Sequence, residues 1–166
     1  MNYTIREIKK EDNSYIESII RECLIAYGGN HEGTAWSDPD LGRFSEIYGL
    51  PGKRYWVGCD EQGHVLGGVG IGPLEGMEGV CELQKMYCCK EARGTGLAKA
   101  LLETALDYAK GYYQQVYLET LSQMVDAKSF YKKHGFKKIT QSLGETEHFA
   151  CEDRYLLDLN EHSTVL

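Results

Sequence analysis

Residues 82–98 read Glu-Leu-Gln-Lys-Met-Tyr-Cys-Cys-Lys-Glu-Ala-Arg-Gly-Thr-Gly-Leu-Ala, and they join a predicted strand to a predicted helix. The run of apolar and aromatic residues in 80–88 predicts the strand. Apolar residues at i+4 spacing across 97–110, ending before Gly111, predict an amphipathic helix that packs on a sheet. Glycines in the turn 93–96 allow the unusual φ angles that a tight connection needs.

The start of the predicted helix 97–110 is suited to binding phosphate. Unpaired backbone N–H groups from Gly94 to Ala98 carry the positive end of the helix dipole, and Arg93 adds a full charge. A P-loop would need Ser or Thr after Gly-Lys, whereas Lys99 stands between two alanines. A dinucleotide fingerprint would need a third glycine at Lys99. The turn therefore predicts an anion site of another type, with a purely structural connection as the alternative.

The rest of the pattern predicts an α/β (α+β) fold, in which a mixed sheet carries helices on its faces. Strands are predicted over residues 3–8, 54–59, 64–72, 116–120, 136–140 and 154–159, and helices over 12–27, from Ser37 or Asp38 to Tyr48, and over 124–134. Four glycines of strand 64–72 indicate either a β-bulge or a close backbone neighbour: Gly67, Gly68, Gly70 and Gly72.

The charge balance excludes several classes of partner. The 166 residues carry 25 Asp and Glu against 18 Lys and Arg, a formal net charge of −7, which disfavours nucleic acid. No apolar run reaches the roughly 18 residues of a membrane span. The N-terminus lacks the apolar core of a signal peptide. We expect a cytoplasmic protein, about one domain long, without nucleic-acid or membrane partners.

The cysteines and histidines show no metal-binding pattern. Six cysteines and five histidines are scattered along the chain, and none of their spacings fits a zinc site. We expect reduced thiols and no metal. The adjacent Cys88 and Cys89 admit a covalent acyl-cysteine, but no histidine lies nearby in sequence to generate a thiolate, so buried strand cysteines are the preferred interpretation.

Three segments in register carry a family resemblance. Arg93, Gly96 and Ala98 fit the pattern Arg/Gln-x-x-Gly-x-Gly/Ala, which resembles the acetyl-CoA-binding motif of the GNAT acetyltransferases. Residues 127–136, Ala-Lys-Ser-Phe-Tyr-Lys-Lys-His-Gly-Phe, are similar to that family's helix-to-strand signature, and residues 82–87 resemble its central strand. The resemblance spans residues 2–159. It implies a mostly antiparallel twisted sheet with helices on both faces, and a single acetyltransferase domain over 1–160 with a C-terminal tail at 161–166.

The resemblance also implies where acetyl-CoA would bind. The backbone of the helix start would hold the coenzyme A pyrophosphate, with Arg93 beginning the turn. The pantetheine arm would add to the edge of strand 80–88 through main-chain hydrogen bonds. The residues so assigned are Met86, Tyr87, Cys88, Arg93, Gly94, Thr95, Gly96, Leu97 and Ala98.

Acetyl transfer to an amine needs a base and an acid. An ammonium group has no lone pair, so a carboxylate must take its proton, directly or through a water. Glu82 is the first candidate and Glu119 the second, with a hydrogen-bonded sheet carboxylate as the alternative for each. By resemblance Tyr131 is the acid that protonates the departing thiolate, with an aromatic core residue as the alternative. Met124 departs from the family, which often has asparagine there.

The function we predict is an acetyl-CoA-dependent N-acetyltransferase that transfers directly to a primary amine of a small molecule or peptide. Carboxylates in segment 27–48, such as Asp38 and Asp40, suit a cationic acceptor, although a solvated acidic loop explains them equally well. Two alternatives stay open: a noncatalytic acyl-CoA-binding or sensing module, and an acetyltransferase for protein N-termini or lysines. A homodimer is also left open.

Overall fold

The computed structural model describes residues 2–144 and 150–160, whose strands form one seven-stranded sheet. The strands are β1 (Thr4–Glu7), β2 (Arg54–Cys59), β3 (Val65–Pro73), β4 (Val80–Cys88), β5 (Gln115–Thr120), β6 (Lys137–Ile139) and β7 (Asp153–Asp158). The helices are α1 (Asn13–Ala26), α2 (Phe44–Ile47), α3 (Leu97–Lys110) and α4 (Val125–Lys133), with short 3₁₀ turns at Lys10–Asp12, Ala35–Ser37 and Lys90–Ala92. The expected tail 161–166 lies outside the described residues.

The strands lie in the order β1-β2-β3-β4-β5-β7-β6. Every neighbouring pair is antiparallel except β4 and β5, which are joined through α3 and run parallel. The predicted mixed, mostly antiparallel sheet is therefore confirmed. In the described part of the chain, no helix is long and apolar enough to cross a membrane.

Each face of the sheet covers its own apolar core. Side chains alternate between the faces along a strand, so neighbours in β2 belong to different cores. Trp56 packs with Leu101 and other side chains of α3 on one side, which we call the α3 face. Tyr55 and Val57 pack with Ile20 and other side chains of α1 on the opposite side, the α1 face. Helices thus cover both faces, as predicted.

The glycines of β3 serve both purposes that the sequence suggested. The register between β3 and β4 shifts between Gly68 and Gly70, and the extra residue of this bulge lies in β4, opposite the glycines. A Cβ atom on Gly67 would lie 2.8 Å from the carbonyl oxygen of Tyr87, a close backbone neighbour. A Cβ atom on Gly68 would lie 2.6 Å from the Tyr55 hydroxyl. The bare backbone of β3 therefore makes room for the ring of Tyr55, which is buried across it.

The sheet opens between β4 and β5. Residues 80–82 of β4 lie opposite residues 115–117 of β5 in parallel register, and the pairing ends there. β4 continues along β3 as far as Cys88, and β5 continues along β7 as far as Thr120. Because each strand keeps its outer neighbour, residues 83–88 and residues 118–120 face each other across an opening.

The predicted helix from Ser37 or Asp38 to Tyr48 is wrong in its extent. Only Phe44–Ile47 is α-helical, and Asp38 has an extended ψ of 123°. Gly42 has a φ of +92°, a left-handed conformation that cannot continue a right-handed helix. The apolar spacing in this segment instead reflects separate contacts with the α1-face core.

We expect Gly68→Ala to lower the free energy of unfolding by about 1–3 kcal/mol, because its methyl group would overlap the buried Tyr55 ring. Chemical denaturation measures this loss. The matched control is Gly111→Ala, whose Cβ atom would have ordinary contact distances and whose φ is −77°. A Gly68→Ala protein as stable as the control would contradict this account of β3.

Candidate active site

A bulge in β4 fixes the opening of the sheet. Gly70 lies opposite Gln84 and Gly68 opposite Tyr87, so β4 has one residue more than β3 over this stretch. Lys85 in the bulge has a φ of +50°, the one positive value at a non-glycine residue in the described chain. A bulge bends its strand and increases the local twist. The bulge therefore turns the end of β4 away from β5.

Two contacts hold Lys85 in this unusual conformation. The Tyr55 hydroxyl donates a hydrogen bond to the Lys85 carbonyl oxygen at 2.8 Å. The Lys85 Nζ atom lies 2.6 Å from Asp38 Oδ2, and both side chains are largely shielded from solvent. The bulge is thus tied to β2 by its backbone and to the segment between α1 and α2 by its side chain.

The opening contains a cleft that encloses ≈ 70 Å³. Its walls come from β4, β5, α4, α1 and the 3₁₀ turn at Ala35–Ser37. The lining residues are Leu24, Thr34, Ala35, Glu82, Leu83, Gln84, Lys85, Met86, Tyr87, Leu118, Glu119, Thr120, Leu121, Met124, Ala127, Tyr131 and Cys151. All three residues that the sequence selected for catalysis therefore line one cleft, together with Met86 and Tyr87.

Glu82 lies at the point where β4 and β5 separate. It is opposite Tyr117 in the last pair of the parallel register. Its Oε1 atom accepts a hydrogen bond from Gln84 Nε2 at 2.9 Å. Gln84 is two residues further along the strand and therefore shares the same face of the sheet.

Glu119 has three polar neighbours on one carboxylate oxygen. Its Oε2 atom accepts hydrogen bonds from the Tyr117 hydroxyl at 2.6 Å and from Ser142 Oγ at 3.0 Å. Arg154 Nε lies 3.7 Å from the same oxygen, and the Glu119 side chain is 4% exposed. These contacts tie the carboxylate to the junction of β5 and β7, which is the structural interpretation left open by the sequence.

Tyr131 combines the two interpretations that the sequence offered. Its ring packs against Phe130 and Phe136, with centroids 5.6 Å away in each case, so it is part of the α3-face core. The side chain also lines the cleft. Burial raises the pKa of the Tyr131 phenol above its ordinary value. The hydroxyl therefore keeps its proton at neutral pH, as a proton donor must.

The turn before α3 has the form that the sequence predicts. Gly94 and Gly96 have φ angles of +72° and +89°, and a Cβ atom on either would meet no described atom within 4 Å. Within the described residues, the N–H groups of Gly96, Leu97 and Ala98 have no protein acceptor, as expected at a helix start. This turn and Cys88 lie outside the cleft lining, further along the path from β4 into α3.

Arg93 already has a contact that the sequence did not predict. Its Nη2 atom donates to the Tyr27 hydroxyl at 3.2 Å, and its guanidinium lies 5.9 Å from the centre of the Tyr27 ring. Tyr27 is the residue that follows α1. The end of α1 therefore approaches the start of α3 at the mouth of the predicted phosphate site.

Comparison with known proteins identifies the family. The profile described as Acetyltransferase (GNAT) family matches residues 13–136, more than half of the chain. The chain is 39% identical over 158 residues to the uncharacterized N-acetyltransferase YjgM of Escherichia coli K12, an alignment that covers 93% of this chain and 94% of that protein. The chain belongs to the GNAT acetyltransferase family.

Solved GNAT structures share the fold. An acetyltransferase of the GNAT family from Staphylococcus aureus matches with a TM-score of 0.83 at 20% identity, covering 95% of this chain and 99% of that one. YncA of Salmonella typhimurium, solved with acetyl-CoA, matches with a TM-score of 0.71 at 21% identity, covering 96% and 95%. The predicted resemblance is thus confirmed, and the protein is an acyltransferase.

Several residues of this GNAT site were not selected by sequence analysis. Gln84, Lys85 and Cys151 line the cleft, and Tyr48 and Tyr55 support it from behind. The glycines of β3 were the available signal for Tyr55, because glycines at alternate positions leave space on one face of a strand for a large side chain. No local signal marks Cys151, which follows the undescribed residues 145–149.

The cysteines show no sign of activation. Burial raises the pKa of the Cys88 thiol to about 12, and its carbonyl oxygen accepts a hydrogen bond from Cys23 Sγ at 3.4 Å. Among the described residues, no group of three His, Cys, Asp or Glu side chains could hold a metal ion. Cys88 is only half-buried rather than buried as expected, but its raised pKa favours a structural strand cysteine over the covalent acyl-cysteine.

We expect Cys88 in the native protein to resist alkylation by iodoacetamide at pH 8. The pKa of this thiol lies about four units above pH 8, so only about 10⁻⁴ of it is thiolate. Mass spectrometry of the digested protein measures the modification, and the denatured protein, in which Cys88 reacts fully, is the control. Rapid modification of native Cys88 would instead support the hypothesis of a nucleophilic thiol.

Proposed function

We propose that the protein transfers the acetyl group of acetyl-CoA directly to a primary amine of a small molecule or peptide. The observation that carries this proposal is the cleft between β4 and β5, which Glu82 and Tyr131 both line. Acetyl-CoA supplies an activated acetyl thioester. The volume of ≈ 70 Å³ suits an acetyl group and the few atoms joined to it.

The binding residues of the chain fit acetyl-CoA in two places. The backbone N–H groups of Gly96, Leu97 and Ala98 have no protein acceptor among the described residues and would hold the pyrophosphate. Among the described residues, no strand pairs with residues 83–88 on the side towards β5, so the main-chain groups of 83–88 would pair with the pantetheine amides. Arg93 would add charge near the phosphates. No metal is required by this arrangement.

Two kinds of side chain in the cleft would carry out the proton transfers, a carboxylate as the base and Tyr131 as the acid. A carboxylate, Glu82 or Glu119, takes a proton from the acceptor ammonium so that the nitrogen lone pair can attack the acetyl carbon. A carbon–nitrogen bond then forms as the carbon–sulfur bond breaks. The Tyr131 hydroxyl donates its proton to the departing sulfur, which leaves as the coenzyme A thiol. The acetylated nitrogen must lose a second proton to become an amide, and this proton would restore the Tyr131 hydroxyl. Backbone N–H groups of the β4 bulge would stabilise the negative charge that develops on the acetyl oxygen.

The charge around the cleft supports an amine acceptor. Glu82, Asp38 and Asp40 all lie close enough to act on Tyr48, whose pKa is raised first by its burial and then by these carboxylates. Asp38 is paired with Lys85 and Asp40 lies 3.6 Å from Arg43, so Glu82 would supply most of the attraction for a cationic acceptor. All six cysteines are free thiols, which supports a reducing, cytoplasmic setting.

A panel of small amines and peptides, with released coenzyme A thiol as the readout, tests the proposed activity. Thiol release above hydrolysis with small amines or short peptides supports it. Release only with intact proteins would support the alternative of acetylation at protein N-termini or lysines. Binding of acetyl-CoA without release for any acceptor would support the noncatalytic alternative.

Tyr131→Phe should lower kcat about 10²-fold with the best acceptor while leaving the Kd for acetyl-CoA unchanged, because only the proton donor is lost. Steady-state kinetics and calorimetric titration measure the two quantities. Tyr155→Phe is the matched control: its hydroxyl is buried, has no partner among the described residues and does not line the cleft. An unchanged kcat for Tyr131→Phe would remove the phenol from catalysis.

Gly96→Ala should weaken acetyl-CoA binding by about tenfold or more, because a left-handed φ is strained for alanine and the helix-start amides would move. Calorimetric titration measures the affinity. Gly63→Ala is the matched control, since Gly63 has a φ of +85° with open space around it but lies in the turn between β2 and β3. Equal affinities of the two variants for acetyl-CoA would show that the turn before α3 does not bind the phosphates.

A further inference from the structure

A chain of side-chain hydrogen bonds ends on the Glu82 carboxylate. The Tyr48 hydroxyl donates to Gln84 Oε1 at 2.6 Å, and Gln84 Nε2 donates to Glu82 Oε1 at 2.9 Å. Glu82 and Gln84 line the cleft, whereas Tyr48 lies behind them in the α1-face core. The buried hydroxyl therefore connects to the cleft through one amide group.

The chain of hydrogen bonds fixes which way the Gln84 amide points. If the amide were flipped, its carbonyl oxygen would face the negatively charged carboxylate, with no proton between them. In the observed orientation, the carbonyl accepts from Tyr48 and the NH₂ group donates to Glu82. Burial raises the pKa of Tyr48 above its ordinary value, so this phenol remains a donor. The orientation is thus set from the protein interior.

The residues around Gln84 and Tyr48 leave little freedom for either side chain. The Tyr48 ring packs edge-on against Phe44 at 5.6 Å and lies 5.3 Å from Tyr55. A Cβ atom on Gly72 would lie 2.8 Å from Gln84 Oε1 and 3.0 Å from Nε2. Glycine at this position therefore lets the amide lie close against β3.

We propose that Gln84 and Tyr48 are positioning residues, which hold the Glu82 carboxylate in the orientation that receives the proton of the acceptor amine. This inference rests on the proposed acetyl transfer and assigns the base role to Glu82 rather than Glu119. The contrast between the two carboxylates supports the choice. Glu119 is held by Tyr117, Ser142 and Arg154 at the β5–β7 junction, whereas Glu82 is directed by an amide that itself lines the cleft.

The direction of the pH effect follows from the charge of the group that accepts the bond. A hydrogen bond donated to a carboxylate stabilises its ionised form, so loss of the Gln84 donor raises the pKa of the base. The substitution Gln84→Met removes this donor, and because glutamine and methionine are both uncharged, it leaves the other charges around the site unchanged. Other titratable or charged groups also surround this site. Cys81, Cys151 and Tyr48 feel the charge of Glu82, and Tyr117 lies opposite it. Lys85, Tyr87, Glu119 and Tyr131 line the same cleft, and Asp38 and Asp40 act on Tyr48.

The experiment is the pH dependence of kcat at saturating acceptor and acetyl-CoA. We expect Gln84→Met to move the acidic limb of this profile upward by about one pH unit, since a hydrogen bond to a charged group has about that effect. Tyr48→Phe should move it in the same direction by less. In the Gln84→Met background, Tyr48→Phe should add no further shift, because the hydrogen bonds act in series.

Gln62→Met is the matched control, since it makes the same chemical change in the exposed turn between β2 and β3. An acidic limb that does not move in Gln84→Met but moves in Ser142→Ala would overturn the inference and make Glu119 the base. Additive shifts from Tyr48→Phe and Gln84→Met would also overturn the series arrangement. A wild-type protein that transfers no acetyl group would overturn the proposed function itself, whereas an active protein with an unmoved limb overturns only this inference.

Discussion

The separation of β4 from β5 is the constraint on which the rest of this structure depends. Two neighbouring parallel strands would normally satisfy each other's backbone groups along their whole length. Here the bulge at Lys85 turns β4 away after three residue pairs, and the Tyr55 hydroxyl and the Asp38 carboxylate hold that bulge in place. The cleft, the side chains that we propose for catalysis and the main-chain groups of β4 that face the cleft all result from this separation.

The two faces of the sheet contribute different chemistry to the cleft. Tyr131 comes from the α3-face core and offers a protonated phenol in an apolar setting. Glu82 and Gln84 belong to the opposite face, where Tyr48 brings a hydrogen bond from the α1-face core. Because the sheet is open between β4 and β5, the proposed acid from one face and the proposed base from the other line the same cleft. A continuous sheet would keep them apart.

The sequence predicted much of this arrangement where its signals were local. The strands 54–59 and 80–88 and the helix 97–110 have the predicted bounds. Their signals are the spacing of apolar residues and the glycines at the ends of segments, and both are local in the sequence. The predicted helix before Tyr48 was wrong in extent, since one glycine with a left-handed φ interrupts an otherwise suitable pattern. The residues that line the cleft could be selected by family resemblance, but the support of Glu82 by Gln84 and Tyr48 could not. That support joins residues 36 positions apart, and only the folded sheet brings them together.

The short parallel join also has a consequence for how such a protein can diverge. Four strands lie on one side of it and three on the other. In the part of the chain that the structure describes, only residues 80–82 and 115–117 connect the two groups by strand pairing. Cys81 and Val116 in this join are fully buried. A bulkier or polar side chain at either position would weaken the join, although neither residue lines the cleft. The shape of the cleft therefore limits sequence change at two residues that lie outside it.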